Sequence, residues 1–148
     1  MLTEPVTILF VHAFPLDARM WRPQLEAFRT YRVLAPDLRG FGRNQRTPLF
    51  ESVEQHAKDL IAVLDQHGVV HALVVGLSMG GYIALAMARL FPHRVAGLVL
   101  ANTRAEPDSS EEQAQRVEMI AQVHHVGTSL LPNVMLPKLV APACGDTT

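Results

Sequence analysis

Short apolar runs separated by longer amphipathic stretches dominate the N-terminal two thirds of the chain. The runs are rich in β-branched residues and occupy residues 6–11, 31–35, 69–75 and 95–101. Runs of this length and composition predict strands that are buried on both faces. Because helical patterns lie between them, the four strands predict a parallel sheet with right-handed crossovers, and the fold class is α/β with helices flanking the sheet.

Three helices are predicted between these strands. They cover residues 18–28, the segment from the capping pair Ser52 and Gln55 to Gly68, and residues 82–91. The second helix carries one apolar stripe, as a surface helix does. Its members are Val53, Ala57, Leu60, Ile61 and Leu64. The third is apolar on nearly every side, which predicts burial against the sheet.

Beyond the fourth strand the pattern becomes more polar, and no further strand pattern follows. Ser110 and Gln113 have capping-box spacing and open an amphipathic helix. The side chains predicted to face inward are Ala114, Val117, Ile120 and Ala121. Residues 130–140 predict a short helix or turn. We therefore divide the chain into a core of four parallel strands, residues 1–102, and a helical region with a C-terminal tail, residues 103–148.

The most informative motif follows the third strand. Residues 76–80 read Gly-Leu-Ser-Met-Gly and match G-x-S-x-G, in which a serine on a tight strand-to-helix turn presents its hydroxyl to a cleft. Glycines flank such a serine because strand and helix approach too closely for a Cβ. Ser78 is the predicted nucleophile. A helix cap is the alternative, but it does not explain both glycines, and a dinucleotide-binding turn would need glycine at position 78.

Three segments taken in order carry a family resemblance. They are Ile-Leu-Phe-Val-His-Ala-Phe-Pro-Leu-Asp at 8–17, Asp-Leu-Arg-Gly-Phe-Gly at 37–42 and Gly-Leu-Ser-Met-Gly-Gly at 76–81. Together they resemble the α/β-hydrolase superfamily and, within it, small esterases and lactonases of the 3-oxoadipate enol-lactonase type. The resemblance implies the strand order second, first, third, fourth, and it implies that residues 103–148 begin a helical cap over the cleft.

The same resemblance implies roles for the residues around Ser78. The oxyanion would rest on the backbone N–H groups of Met79 and Phe14. The superfamily usually has His-Gly where this chain has His12-Ala13. His12 is expected to serve structure, with the catalytic base coming from a later loop. Trp21 is a candidate for the wall of an acyl or lactone pocket, with core packing as the alternative.

A serine nucleophile also needs an acid and a histidine. In this fold they come after the serine, in that order, and the resemblance places each behind a later strand that has no counterpart here. Asp108 is the one acid near an alternative position, and His124 and His125 are the histidines of the cap segment. We therefore expect the chain to be the N-terminal part of a longer hydrolase.

Such a sheet would leave the fourth strand as an open edge. We expect that edge to expose apolar side chains and to favour self-association. The residues concerned are Val95, Leu98, Val99 and Leu100.

The remaining charged residues and histidines suggest structural roles. Asp37 and Arg39 are expected to pair across their loop. No histidine spacing predicts a metal site, and no cofactor is expected. The other histidines are interpreted as surface residues: His56, His67, His71 and His93.

Composition narrows the function further. The chain has 14 acidic and 13 basic residues and a net charge of -1. It therefore lacks the excess of basic residues that is typical of proteins that bind nucleic acid. Its N-terminal apolar run, residues 6–14, is too short to cross a bilayer and lacks a basic leader, so we expect no membrane partner and a cytoplasmic location. The leading hypothesis is hydrolysis of a small ester or lactone. The alternatives are a catalytically inactive binding module and a cofactor-free perhydrolase or haloperoxidase.

Overall fold

The computed structural model describes residues 6–44 and 52–140. It divides the chain into two compact units, Met1–Ala105 and Glu106–Thr148. The elements follow in chain order: β1 (Thr7–Val11), a 3-10 turn (Ala18–Trp21), α1 (Arg22–Ala27), β2 (Val33–Leu34), α2 (Val53–Gln66), β3 (Ala72–Leu77), α3 (Met79–Leu90), a second 3-10 turn (Pro92–Arg94), β4 (Val95–Ala101), α4 (Ser110–Val126) and α5 (Leu130–Leu139).

All four strands form one parallel sheet. Their order is β2-β1-β3-β4, and the register pairs Leu9 with Leu34 on one side and with Val74 on the other. The α/β class and the strand order expected from the sequence are therefore confirmed. Strand β1 lies at the centre and every one of its residues is buried, which explains why its sequence is almost wholly apolar.

The two faces of the sheet carry separate clusters of apolar side chains. On one face Leu9, Val11 and Val74 pack against α2 and α3. On the other face Ile8 and Phe10 pack against Trp21. Adjacent residues of a strand point to opposite faces, so the strands that run through both clusters must be apolar throughout.

Helix α2 has the predicted cap and the predicted stripe. The Ser52 hydroxyl accepts the Gln55 N–H at 3.3 Å, and the stripe is buried at Leu60 and Leu64. The prediction for His56 was wrong, because its side chain is only 1% exposed rather than solvated. Position 56 lies one turn before Leu60, so its side chain falls on the apolar stripe.

Three predicted elements are shorter or divided in the structure. The helix expected over 18–28 is a 3-10 turn followed by α1, because Pro23 lacks an N–H and fits the first turn of a helix. Strand β2 is reduced to two residues. Strand β3 begins at Ala72 instead of residue 69, and the preceding Val70 is 67% exposed.

Helix α4 is capped one residue earlier than predicted. The Ser109 hydroxyl accepts the Glu112 N–H at 3.2 Å, and the Glu112 carboxylate accepts the Ser109 N–H at 2.7 Å. This reciprocal pair is a capping box, which Ser110 and Gln113 were expected to form. Residues 130–140, for which the sequence predicts a short helix or turn, contain the helix α5. All four side chains predicted to face inward from α4 are instead exposed: Ala114, Val117, Ile120 and Ala121.

Strand β4 is the edge of the sheet, as expected, but only part of it is open. Val99 is 45% and Leu100 is 44% exposed. Val95 and Leu98 are half-buried, in contrast to the prediction, because they pack against the cluster that α3 covers. Within the described residues no helix is long and apolar enough to cross a membrane.

Candidate active site

Ser78 stands between the end of β3 and the start of α3 with an unusual backbone conformation. Its φ is 52° and its ψ is -114°, a region that residues with a Cβ rarely occupy. The Ser78 side chain makes no capping hydrogen bond to α3. The cap interpretation of this serine is therefore wrong, and the hydroxyl is left available for another task.

The glycines around Ser78 are required by close backbone contacts. A Cβ on Gly76 would overlap the backbone of Gly80, and a Cβ on Gly80 would overlap the carbonyl group of Val11. Gly81 faces the side chain of Thr103 in the same way. These approaches let α3 begin directly against β1 and β3, which forces the sharp turn at position 78.

The end of β4 holds this turn in place. The Ser78 N–H donates to the Ala101 carbonyl at 3.0 Å, and the Thr103 hydroxyl donates to the Ser78 carbonyl at 2.9 Å. Thr103 was not identified from the sequence, since its partner is 25 residues away and no local pattern marks it. The strained serine is thus fixed by hydrogen bonds that leave its side chain free.

The two expected oxyanion donors have free backbone amides. Neither Phe14 nor Met79 donates its N–H to an acceptor among the described residues. The Phe14 side chain is 40% exposed, and its peptide bond to Pro15 is cis. Ala13, which replaces the usual glycine, does not have a positive φ, so its methyl group is accommodated without backbone strain.

His12 is fully buried and both of its ring nitrogens face backbone groups. The Leu38 N–H donates to Nε2 at 3.0 Å, so Nδ1 carries the proton and faces the Ala13 carbonyl at 3.1 Å. Burial lowers the pKa of His12, against the opposing effects of that carbonyl and of Asp37 and Asp17. Through these hydrogen bonds the neutral ring connects the 37–44 loop to the end of β1.

The expected pair of Asp37 and Arg39 does not form. The Arg39 guanidinium instead binds the Asp59 carboxylate of α2 through two hydrogen bonds of 2.7 Å. The Asp37 carboxylate accepts the backbone N–H groups of Ala18 and Arg43, each at 2.9 Å. Both charged residues fix the loop, but each uses a partner that lies elsewhere in the chain.

Trp21 lies in the core on the second face of the sheet. It is 6% exposed, and its ring centroid is 4.9 Å from that of Phe10. A contact between Trp21 and a substrate stays a prediction.

Two cavities lie beside the 37–44 loop rather than over Ser78. One has a volume of about 320 Å³ and is lined by Asp37, Arg39 and Asp59 among others. The second, of about 600 Å³, lies between Asp17, Arg22 and the same loop. Ser78 lines neither of them.

The candidate acid and histidines belong to the second unit. The Asp108 carboxylate is bound by the Arg116 guanidinium within that unit. His124 and His125 lie in the last turn of α4 and are exposed. A catalytic role for any of these three stays a prediction.

Comparisons with known proteins agree with this geometry. The family model described as alpha/beta hydrolase fold matches residues 6–124. The chain is 35% identical over 96 residues to epoxide hydrolase B of Mycobacterium tuberculosis, covering 62% of this chain and 27% of that protein. It therefore spans about a quarter of that relative.

Two solved structures are also similar. A thermophilic esterase from Thermogutta terrifontis has a TM-score of 0.83 and 41% identity, covering 89% of this chain and 49% of that one. The enol-lactonase from Burkholderia xenovorans LB400 has a TM-score of 0.79 and 29% identity, covering 90% and 51%. The chain thus spans about half the length of these enzymes.

Proposed function

The chain belongs to the α/β-hydrolase fold family, and from that premise we propose that Ser78 is the nucleophile of an enzyme that cleaves a small carboxylic ester or lactone. The observation that supports this most strongly is the strained Ser78, held by its backbone at the start of α3 with a hydroxyl that caps nothing. Backbone strain at a residue with a free reactive group is typical of a functional site.

The proposed reaction has two steps. A base takes the proton of the Ser78 hydroxyl as its oxygen attacks the carbonyl carbon, and the negative charge that develops on the carbonyl oxygen is stabilised by the N–H groups of Met79 and Phe14. Collapse of this intermediate breaks the ester bond, and the alcohol oxygen, which stays attached to the acyl group in a lactone, takes up that proton. Water then hydrolyses the acyl group on Ser78 to the acid and restores the hydroxyl. The free amides of both residues support this assignment.

A serine nucleophile favours esters and lactones over the epoxides that some relatives act on. Attack of a serine oxygen on an epoxide carbon would form an ether, and water does not cleave an ether under mild conditions. Attack on a carbonyl forms an ester, which water does cleave. The residue at position 78 therefore supports an acyl-transfer reaction.

Nucleophile and base act as a unit in such enzymes, so loss of the Ser78 hydroxyl should abolish turnover. Hydrolysis of p-nitrophenyl acetate by the chain, by Ser78→Ala and by Ser110→Ala tests the proposal. Ser110 is exposed and lies at the start of α4 in the other unit, so its substitution controls for loss of a serine hydroxyl. The proposal requires the rate to fall to background only in Ser78→Ala, and equal rates for all three proteins would contradict it.

A second candidate function is a binding or interaction module without catalysis. The observation in its favour is the open edge of β4, where Val99 and Leu100 expose apolar side chains. This candidate predicts concentration-dependent self-association of the chain in sedimentation together with no hydrolysis that depends on Ser78. A monomer at all concentrations would count against it.

A further inference from the structure

Two strained backbone positions lie side by side at the ends of neighbouring strands. Among the described residues, Ser78 and Asn102 are the non-glycine residues with a positive φ, at 52° and 43°. Ser78 follows β3 and Asn102 follows β4, and these strands pair as far as Leu77 with Ala101. Asparagine tolerates the left-handed conformation better than most residues that have a Cβ. Strain at two adjacent turns is typical of a functional site.

The turn at Asn102 brings the side chain of Thr103 against the start of α3. The Thr103 hydroxyl donates to the Ser78 carbonyl at 2.9 Å. The same side chain fills the space that a Cβ on Gly81 would need, and it is half-buried. Because its methyl group packs against Gly81, the Thr103 hydroxyl is held in place on the Ser78 carbonyl.

The Ser78 carbonyl belongs to the same peptide unit as the Met79 N–H, the group assigned to the oxyanion. This peptide is trans, since the cis bond among the described residues is that between Phe14 and Pro15. In a planar trans peptide the C=O and the N–H point in opposite directions. A donor that holds the carbonyl therefore also sets the direction of the N–H. A hydrogen bond to the carbonyl further polarises the amide, which makes its N–H a stronger donor.

Ser78 is held on both sides of its Cα. Its N–H donates to the Ala101 carbonyl at 3.0 Å, and this bond together with that of Thr103 fixes both backbone dihedrals. The Ser78 carbonyl also accepts the N–H groups of Gly81 at 2.8 Å and Tyr82 at 3.4 Å, both from α3. Thr103 donates from outside that helix, so it fixes the peptide relative to β4.

We propose that Thr103 is a positioning residue for the proposed reaction. Its hydroxyl acts through the peptide between Ser78 and Met79, where it orients the Met79 N–H toward the oxyanion and strengthens this N–H as a donor. The catalytic consequence rests on the proposed function, whereas the effect on the peptide does not.

The kinetic test compares variants that differ in one hydroxyl. Thr103→Val removes the hydroxyl and nearly keeps the shape, whereas Thr103→Ser keeps the hydroxyl. Loss of a whole oxyanion donor lowers kcat by about a hundredfold to a thousandfold. The bonds from Gly81 and Tyr82 remain in Thr103→Val, so its kcat for p-nitrophenyl acetate should fall less, by about tenfold. Both steps pass through an oxyanion and slow together, so KM should change little.

Two further variants serve as controls. Thr30→Val removes an exposed threonine hydroxyl from the turn after α1 and should retain the wild-type kcat, as should Thr103→Ser. If Thr103→Val does not fold, Thr103→Ser and Thr103→Ala give the same comparison, because both lack the methyl group and differ only in the hydroxyl. A wild-type kcat in Thr103→Val, or a kcat in Thr103→Ser as low as that of Thr103→Val, would overturn the proposal.

The Met79 amide provides a readout that needs no turnover. The proposal requires the ¹⁵N signal of Met79 to move to lower frequency in Thr103→Val, because the amide is less polarised, and to stay near its wild-type position in Thr103→Ser. An unchanged signal in Thr103→Val, or an equal shift in both variants, would overturn it. If hydrolysis does not depend on Ser78, the proposed function fails, and the Met79 signal still decides whether Thr103 controls this peptide.

Discussion

Strands β1 and β4 are both almost wholly apolar, yet their side chains differ in burial. Every residue of β1 is buried, whereas β4 leaves Val99 and Leu100 nearly half exposed. The difference comes from position, since β1 has a strand on each side and β4 is an edge. An apolar run therefore identifies a strand, but its neighbours decide how much that strand contributes to stability.

Two leucines give the largest expected difference between these strands. Leu9→Ala should lower the free energy of unfolding by about 2–5 kcal/mol, because Leu9 is fully buried and its loss leaves a cavity. Leu100→Ala should cost about 1 kcal/mol or less, since Leu100 is already 44% exposed. Urea unfolding of both variants measures the difference, and equal costs would mean that β4 is covered in solution.

Two glycines extend the comparison to backbone packing. Gly80→Ala places a methyl group against the Val11 carbonyl of β1, and we expect a loss of about 1–3 kcal/mol. Gly97→Ala in β4 meets only the flexible end of Leu73, at 3.1 Å, and should change stability by no more than about 0.5 kcal/mol. Thermal unfolding separates the two variants. A Gly97→Ala loss as large as that of Gly80→Ala would show that β4 packs as tightly as β1.

The stability of the folded chain should also depend on pH, through His12 at the end of β1 and His56 of α2. His12 and His56 have pKa values that burial lowers below the usual 6.5. The unfolded chain therefore binds more protons than the folded one below that value, and the stability present above pH 6.5 is lost as the pH falls toward the folded pKa values. Asp17, whose pKa is lowered to about 2 by Arg19, contributes above its unfolded value of 3.8 and loses that contribution only as the pH falls toward 2.

Urea midpoints measured at pH 7.5 and 5.5 check this expectation, because this interval lies above the range in which Asp17 titrates. His12→Asn and His56→Gln should each flatten the dependence. A midpoint that rises as the pH falls would contradict the assignment of neutral rings to these two histidines.

A substitution at the open edge of β4 should have the smallest effect on stability but a measurable effect on self-association. Val99→Lys places a charge on an exposed position of β4, which should change the free energy of unfolding by about 0.5 kcal/mol or less and reduce self-association. Sedimentation velocity of wild type and variant measures this. Unchanged association would place the contact between copies elsewhere.

The part of the fold that depends on local patterns was predictable. Apolar runs identified the four strands, the spacing of Ser52 and Gln55 identified the cap of α2, and the glycines around Ser78 identified the turn. Histidine was treated as polar, and for that reason His56 was assigned to the surface although its position falls on the apolar stripe of α2.

The partners of Arg39 and Ser78 could not be predicted in the same way. Arg39 binds Asp59 on α2, and Ser78 is held by Thr103 beyond the end of β4. These contacts arise only when the helix and the strand have packed against the sheet. Local spacing favoured Asp37 as the partner of Arg39, and tertiary packing decided otherwise.

Mass spectrometry of the chain after incubation with p-nitrophenyl acetate shows directly whether Ser78 is a nucleophile that forms an acyl-enzyme. An activated ester transfers its acetyl group to the Ser78 oxygen, where the group stays until water removes it. If Ser78 is the nucleophile, an acetylated peptide that contains residues 76–80 forms, and it is absent in Ser78→Ala. Acetylation spread over surface lysines and histidines, with residues 76–80 unmodified, would show that Ser78 is not the nucleophile.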